Sequence, residues 1–387
     1  MTRDRQRYDV AFYVPWLGPL LTSRHGLVTG GAETQVFLLS RELARCGLRV
    51  CLLVFEIPGV QLPSSVDGVD VVLRPRYKSS QRMVGKVREV ANIRAALASV
   101  ESDVVVTRAA GPHLALVGWF ARRRRFVYSS ASPYDFDGSR QPKRRDRVLT
   151  SLGLRMADEI VVQTEEQVRS SRERLGRVPV LIRSLCELPV VGPARPETFL
   201  WVGRYQWYKR PLEYVELAHA LPEARFRMVV SSATLNKDAA RVQRDVEAAA
   251  ARLPNLDVLH DLPRSELMQL MSRAVAMVST SEFEGMSNVL LEGWARGVPG
   301  LVLSYDSDGI VARHGLGRFV EGSRERFTDA ARELWNGRFD RRDVSRRCRE
   351  YVEEHHAPEQ IAEQWAEVLT MAPPVVAARS AAAEVVV

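Results

Sequence analysis

Two glutamates, Glu284 and Glu292, bracket the stretch Gly285-Met-Ser-Asn-Val289, where loop-forming residues give way to helix-forming ones. The apolar run 274–278 before it reads as a buried strand. Residues 288–296 favour a helix that stops at Gly297, with Pro299 beyond. The unit is therefore strand, tight loop, helix. Gly285 lets the loop turn sharply. The free N–H groups around Ser287, Asn288 and Val289 point out of the helix start, where hydrogen bonds and the helix dipole together stabilise a phosphate. Glu284 lies in the loop and Glu292 about one turn inside the helix, so both can reach hydroxyl groups on a bound phosphate ester. Without further support the same residues describe a surface loop and an amphipathic helix whose glutamates face water.

The elements that would position this unit recur along the chain. Residues 8–14 read as a first strand ended by Pro15; a loop leads to Gly30-Gly31, and 32–46 shows helical spacing before Gly47. A glycine pair at the first strand-to-helix junction lets backbone approach a phosphate, because ligands of doubly wound sheets bind at the carboxyl ends of strands. Strands at 49–55, 69–73, 103–107, 125–129, 159–163 and 180–182 alternate with helices at 82–99, 113–121, 144–156 and 165–175. Three prolines and a glycine between Leu188 and Pro196 mark a linker. A second series follows, with strands at 199–202, 226–230, 256–259, 274–278 and 301–304. Its helices open at Pro211 and span 237–253, 265–273, 324–335, 342–354 and 359–369. Such alternation implies α/β domains with parallel sheets covered on both faces.

The E-x7-E arrangement followed by Ala295-Arg-Gly-Val-Pro299 resembles the signature of retaining glycosyltransferases of family 4, which have the GT-B fold. Val202-Gly-Arg-Tyr-Gln-Trp-Tyr-Lys209 is similar to that family's Gly-Arg, then Lys five residues after the Arg, at the end of the first strand of the donor domain. Gly30-Gly31-Ala-Glu-Thr resembles its glycine pair. The resemblance implies two doubly wound Rossmann-like domains facing across a cleft. Residues 1–190 would bind the acceptor and 191–357 the nucleotide sugar. Residues 358–372 would be a helix crossing back to the first domain, and 373–387 a disordered tail. It also implies roles. Arg204 and Lys209, beside Gly203, would neutralise a diphosphate leaving group as the glycosidic bond breaks, without a metal or other cofactor. Glu284 would bind the transferred sugar and Glu292 the ribose, while the loop Gly285-Met286 and the N–H groups of Ser287, Asn288 and Val289 would hold the diphosphate. The base, most often uridine in that family, would lie near His260 and Asp261. Many members carry a histidine after the strand that 126–129 matches. Here the residues are Ser129-Ser-Ala-Ser-Pro-Tyr-Asp-Phe-Asp137, so Asp135 or Asp137 would take the acceptor side, or simply cap a turn. The stretch resembles a subgroup of the family with an Ala-Ser-Asp-x-Asp-like sequence at this place, and the loop Asp306–Gly315 resembles that subgroup too.

At 387 residues the chain suits two domains of roughly 180 residues each. An apolar content of 46% and a charged content of 26% belong to a soluble globular protein. No apolar run approaches the about 18 residues of a membrane span, and no apolar core follows the N-terminus to make a signal peptide, so the expected place is the cytoplasm. Cys46, Cys51, Cys186 and Cys348 lack metal-ligand spacing and fit a reducing compartment. Charge is unevenly placed. Residues 1–190 hold 30 Lys and Arg against 19 Asp and Glu, net +11, whereas 191–387 hold 25 against 28, net −3. The basic half, including the runs Arg122–Arg125 and Arg140–Arg147, should face an anionic partner or the inner face of a membrane, where a lipid-linked acceptor would sit. Arg108, at a strand end, would touch an anionic acceptor, and His25 lies in a loop placed to cover one.

The reading that unites these features is a retaining, metal-independent glycosyltransferase. It would move a sugar from a nucleoside diphosphate sugar, a UDP-sugar by family habit, to a cell-envelope, exopolysaccharide or small-molecule acceptor. A sugar phosphorylase or nucleotide-sugar epimerase on the same fold is the rival enzyme. A basic nucleic-acid-binding protein is the rival outside enzymology, with no stacking motif or recognition helix to favour it.

Overall fold

A computed structural model of the chain describes residues 7–22, 30–75, 83–108, 110–138, 141, 143–190, 192, 194–231 and 237–371. His25, Arg140 and the tail 373–387 lie outside them.

The first domain runs β1 (Arg7–Tyr13), α1 (Gly31–Arg45), β2 (Val50–Phe55), β3 (Ser65–Val66), β4 (Val69–Arg74), α2 (Met83–Ala98), β5 (Glu101–Arg108), α3 (His113–Ala121), β6 (Arg125–Ser129), α4 (Arg144–Met156), β7 (Glu159–Val162), α5 (Glu165–Leu175) and β8 (Val180–Leu181). Its strands form one sheet in the order β3-β4-β2-β1-β5-β6-β7-β8, parallel except for β3 against β4. The second runs β9 (Thr198–Gly203), α6 (Pro211–Ala220), β10 (Phe226–Val230), α7 (Lys237–Ala250), β11 (Leu256–His260), α8 (Arg264–Ser272), β12 (Ala274–Ser279), α9 (Asn288–Ala295), β13 (Gly300–Val302), α10 (Ile310–His314), β14 (Gly317–Phe319), α11 (Arg324–Trp335), α12 (Arg341–His356) and α13 (Pro358–Thr370). Its sheet is parallel, in the order β11-β10-β9-β12-β13-β14.

The alternation of strand side chains explains the layers. In β1, Val10 and Phe12 pack with Val36, Leu39 and Leu43 of α1, while Ala11 and Tyr13 pack on the other face with Ile93, Leu114 and Leu154 of α2, α3 and α4. Ile361, Trp365, Val368 and Leu369 of α13 recur at helical spacing and enter the α1 side of that core, so the last helix completes the first domain. The segment Asp306–Gly315, expected as a loop, instead folds as a 3-10 turn (Ser307–Gly309) and α10. Neither that one-turn helix nor the three-residue β14 is long enough to write a period into the sequence.

Strand order reverses between β1 and β5 in one sheet and between β9 and β12 in the other. Loops leaving neighbouring strands diverge to opposite faces at such a point and open a crevice at their carboxyl ends. The glycine pair follows β1, Arg108 ends β5, the Arg204–Lys209 loop follows β9 and the Glu284 loop follows β12.

Candidate functional site

In the second domain the loops after β9 and β12 are tied to each other. Thr280 Oγ1 donates to the Lys209 carbonyl (2.6 Å) and accepts from Trp201 Nε1 (3.0 Å), and Glu282 N–H donates to the Tyr208 carbonyl (2.8 Å). Gly203 makes room for the Trp201 ring, which a Cβ there would approach to 2.7 Å. The register set by these bonds brings the Lys209 ammonium onto Glu284 Oε1, which also accepts from Ser281 Oγ at 2.9 Å. Both members of the pair are mostly shielded, with 19% and 18% of their side chains exposed, so water screens them only in part. An anion entering here competes with Glu284 for Lys209.

Arg204 differs. Its side chain is half-buried and its guanidinium forms no hydrogen bond or ion pair among the described residues. A Cβ on Gly30, in the other domain, would lie 4.0 Å from its guanidinium.

Helix α9 begins beside this pair. Ser287 is its N-cap and contributes no side-chain hydrogen bond, so the N–H groups of the first turn face the crevice without a side-chain cap. Two hollows flank that helix start. One is lined by Glu284, Met286, Ser287, Tyr305, Asp306 and Ser307. The other is lined by Gln35, Leu185, Glu187, Arg264, Asn288 and Glu292. The two glutamates therefore bracket the helix start from separate sides. Val289 is half-buried in the first turn between them.

The first domain closes against this helix. Asn288 Nδ2 donates to the Gly31 carbonyl (2.9 Å), and its Oδ1 accepts from Gln35 Nε2 (3.1 Å). A Cβ on Gly31 would fall 2.5 Å from Asn288 Nδ2, and one on Gly285 would fall 2.6 Å from the Ala131 carbonyl. These glycines are needed for the approach of one domain to the other. Of the glycine pair expected to approach a phosphate, Gly30 donates its N–H to Glu33 Oε2 (3.1 Å) in the first turn of its own helix.

Other expected residues take structural places. Asp135 is 4% exposed, and its Oδ2 accepts from Ala131 N (2.9 Å), Ser132 N (3.1 Å), Ser130 Oγ (2.9 Å) and Tyr128 OH (2.9 Å). One oxygen so saturated clamps a turn, the second of the two places expected for Asp135. Asp137 stays half-buried just beyond that turn. Arg108 donates to Ser129 Oγ and Gln163 Oε1, both at 3.1 Å, and burial lowers its pKa; it braces the ends of β6 and β7 rather than standing free for an acceptor. His260 places Nε2 3.4 Å from Glu247 Oε1 on α7, beside Tyr205.

Three residues of the site carry no sequence signal. Arg264 holds Glu292 (2.8 Å) and lies 3.7 Å from Glu187, which pairs with Arg41 of α1 (2.7 Å), so a chain of charges runs from α1 to α9. Gln35 is fixed by Leu185, accepting from its N–H (2.9 Å) and donating to its carbonyl (2.8 Å). Asp308 accepts from the N–H groups of Glu165 (2.9 Å) and Glu166 (3.2 Å), capping α5 from the opposite domain. Each partner is distant in sequence, and no local pattern announces it.

Two doubly wound domains face across a crevice that holds a helix start with no side-chain cap and an arginine whose guanidinium has no partner among the described residues, an arrangement whose chemistry suits a phosphorylated ligand. Residues 30–185 match the model of the glycosyl transferase 4-like domain, and residues 190–355 match that of the glycosyl transferases group 1. No curated protein matches the sequence significantly. Among solved structures, sucrose-phosphate synthase from Thermosynechococcus elongatus is similar with a TM-score of 0.75 at 19% identity, over 94% of this chain and 98% of that one. Trehalose-6-phosphate from E. coli bound with UDP-2-fluoro glucose matches with a TM-score of 0.72 at 14% identity, over 95% and 100%. HepE from Anabaena in complex with UDP-glucose matches with a TM-score of 0.71 at 15% identity, over 93% and 98%. The chain belongs to the group 1 glycosyltransferases of the family 4 type. It is a glycosyltransferase with the GT-B fold.

Proposed function

We propose that the protein transfers a sugar from UDP-sugar to an acceptor with retention of configuration and without a metal ion. The observation that carries this reading is Arg204, a half-buried cation with no partner among the described residues, set against Gly30 across the crevice. Arg204 and Lys209 grip the diphosphate together with the N–H groups at the start of α9. Charge on the leaving oxygen grows as the glycosidic bond breaks, so these donors stabilise the transition state more than the ground state. The acceptor hydroxyl bonds to the anomeric carbon from the face the diphosphate leaves, and its proton passes to the departing phosphate oxygen. No protein nucleophile enters this step. Glu284, exchanging Lys209 for sugar hydroxyls, orients the transferred ring. Glu292, held by Arg264, takes the ribose. The HepE and E. coli structures, whose ligands are UDP-glucose and UDP-2-fluoro glucose, support the choice of uridine.

The acceptor belongs to cell-envelope or exopolysaccharide assembly, with the enzyme working peripherally at the membrane. No described helix is long and apolar enough to cross a membrane. The test is a thermal-shift and calorimetric panel of nucleoside diphosphates and their sugars, run with and without EDTA. UDP compounds should raise the melting temperature with EDTA present, and Arg204→Ala or Glu292→Ala should reduce that rise. Silence across the panel refutes the reading, and loss of the shift on adding EDTA refutes its metal-free part.

A further inference from the structure

The basic runs of the first domain divide sharply in the fold. Arg124 and Arg125 turn inward, donating to the carbonyls of Val100 and Met371 respectively. Arg122 and Arg123 stay exposed at the end of α3, with the Arg122 guanidinium 4.9 Å from the Trp119 ring centroid. On α4, Arg144, Val148, Leu152 and Arg155 fall on one stripe at helical spacing, all exposed, with Arg145 and Arg147 beside it. The nearby acid Asp146 is taken by Arg145 at 2.8 Å. Arg123, Arg144, Arg147 and Arg155 have no ion pair among the described residues.

The two helices present one surface. They cover the same face of the first sheet and pack so closely that a Cβ on Gly153 would lie 2.6 Å from the Ala115 nitrogen, and one on Gly118 would lie 3.0 Å from Met156 Cβ. Their solvent sides are therefore continuous. Three large apolar side chains stand out of that surface among the arginines: Trp119 is 57% exposed, Val148 59% and Leu152 47%. Leaving them in water costs hydrophobic free energy that a purely polar partner does not return. An interface with an anionic headgroup layer over an apolar phase satisfies both chemistries, the arginines in the headgroups and Trp119, Val148 and Leu152 below them.

We propose that the outer face of α3 and α4 docks on an anionic lipid surface. The placement suits an acceptor delivered from that surface. Gly138 ends the turn that carries Ala131, a Cβ on Gly138 would lie 3.1 Å from Arg147 Cγ, and Ala131 meets Gly285 of the donor-side loop. The face thus adjoins the mouth of the crevice. Docking itself does not depend on sugar transfer; only the delivery of a lipid-borne acceptor rests on the function proposed above.

The experiment is co-sedimentation of the full chain with phosphatidylcholine vesicles and with vesicles in which part of that lipid is replaced by phosphatidylglycerol. The protein should bind the anionic vesicles and leave the neutral ones. Arg144→Glu with Arg155→Glu should weaken binding by about tenfold or more. Val148→Ser with Leu152→Ser should weaken it at a salt concentration where the arginine contribution is screened. All four positions are exposed, so both double variants should keep the wild-type melting temperature and any shift it shows with UDP, which separates lost docking from misfolding. Absence of binding, equal binding to neutral vesicles, or wild-type binding by both double variants overturns the proposal. So does a DNA oligonucleotide that displaces the anionic vesicles through the same arginines. The assay holds no donor or acceptor, so failure of the sugar-transfer reading leaves its outcome unchanged.

Discussion

Replacing Arg204 by alanine separates function from stability, because this side chain has no partner to lose among the described residues. Unliganded stability should move by no more than about 0.5 kcal/mol, the range of substitutions that break no contact. The UDP complex should lose a charge-assisted hydrogen bond of about 1.5–3 kcal/mol, which is a weakening of about 10- to 150-fold. At a UDP concentration 100 times the wild-type Kd, ligand stabilisation is about 2.7 kcal/mol; a 100-fold weaker variant keeps about 0.4 kcal/mol. The transfer rate should fall further, by about 10²–10³, if the guanidinium meets charge that develops only as the bond breaks. Lys209→Ala is the control with the opposite signature. It strands Glu284, 18% exposed, and should cost the unliganded protein about 1–2 kcal/mol. Differential scanning fluorimetry with and without UDP, alongside titration calorimetry, reads all of these. An Arg204→Ala protein that binds UDP as the wild type does would falsify the diphosphate grip.

Gly31→Ala should push Asn288 away and part the domains, seen as a larger radius of gyration by small-angle scattering and weaker UDP binding. Adding Asn288→Ala should restore part of the closure, because the added methyl then meets no amide. Gly153→Ala should force α3 and α4 apart and destabilise the protein by about 1–3 kcal/mol in urea unfolding, an overpacking cost. His356 is fully buried, its Nδ1–H donating to the Ser184 carbonyl at 2.6 Å, and burial pushes its pKa down to about 3. The unfolded chain takes up this proton near pH 6.5 and the folded chain does not. The stability is present above that pH and should fall by about 1.4 kcal/mol per unit as pH drops toward the folded value. Urea unfolding from pH 7 to 4 measures that slope, and His356→Gln should flatten it by the same amount.

What could be read from the residues alone was whatever neighbours in sequence decide. Strand and helix periods placed the two α/β series, and the Glu-x7-Glu spacing marked one loop at the crevice, because a loop leaving a strand and opening a helix is set by a few adjacent residues; the Gly-Arg-x4-Lys loop was marked by its resemblance to the family. Glycines 31 and 285 were legible as special, and the structure adds a reason the sequence could not show, the close contact each makes with the other domain. The partners of the polar and charged side chains were not legible. Lys209 meets Glu284 across 75 positions, Gln35 meets Asn288 across 253, and Arg264 meets Glu292 across 28. Asp135 had two readings open, an acceptor-side group or a turn cap, and only the convergence of four donors on one oxygen showed the cap. A carboxylate or guanidinium has the same local propensity whether free or paired. Its partner is chosen by which strands lie side by side and which domain closes over them, and that choice exists only once the chain has folded.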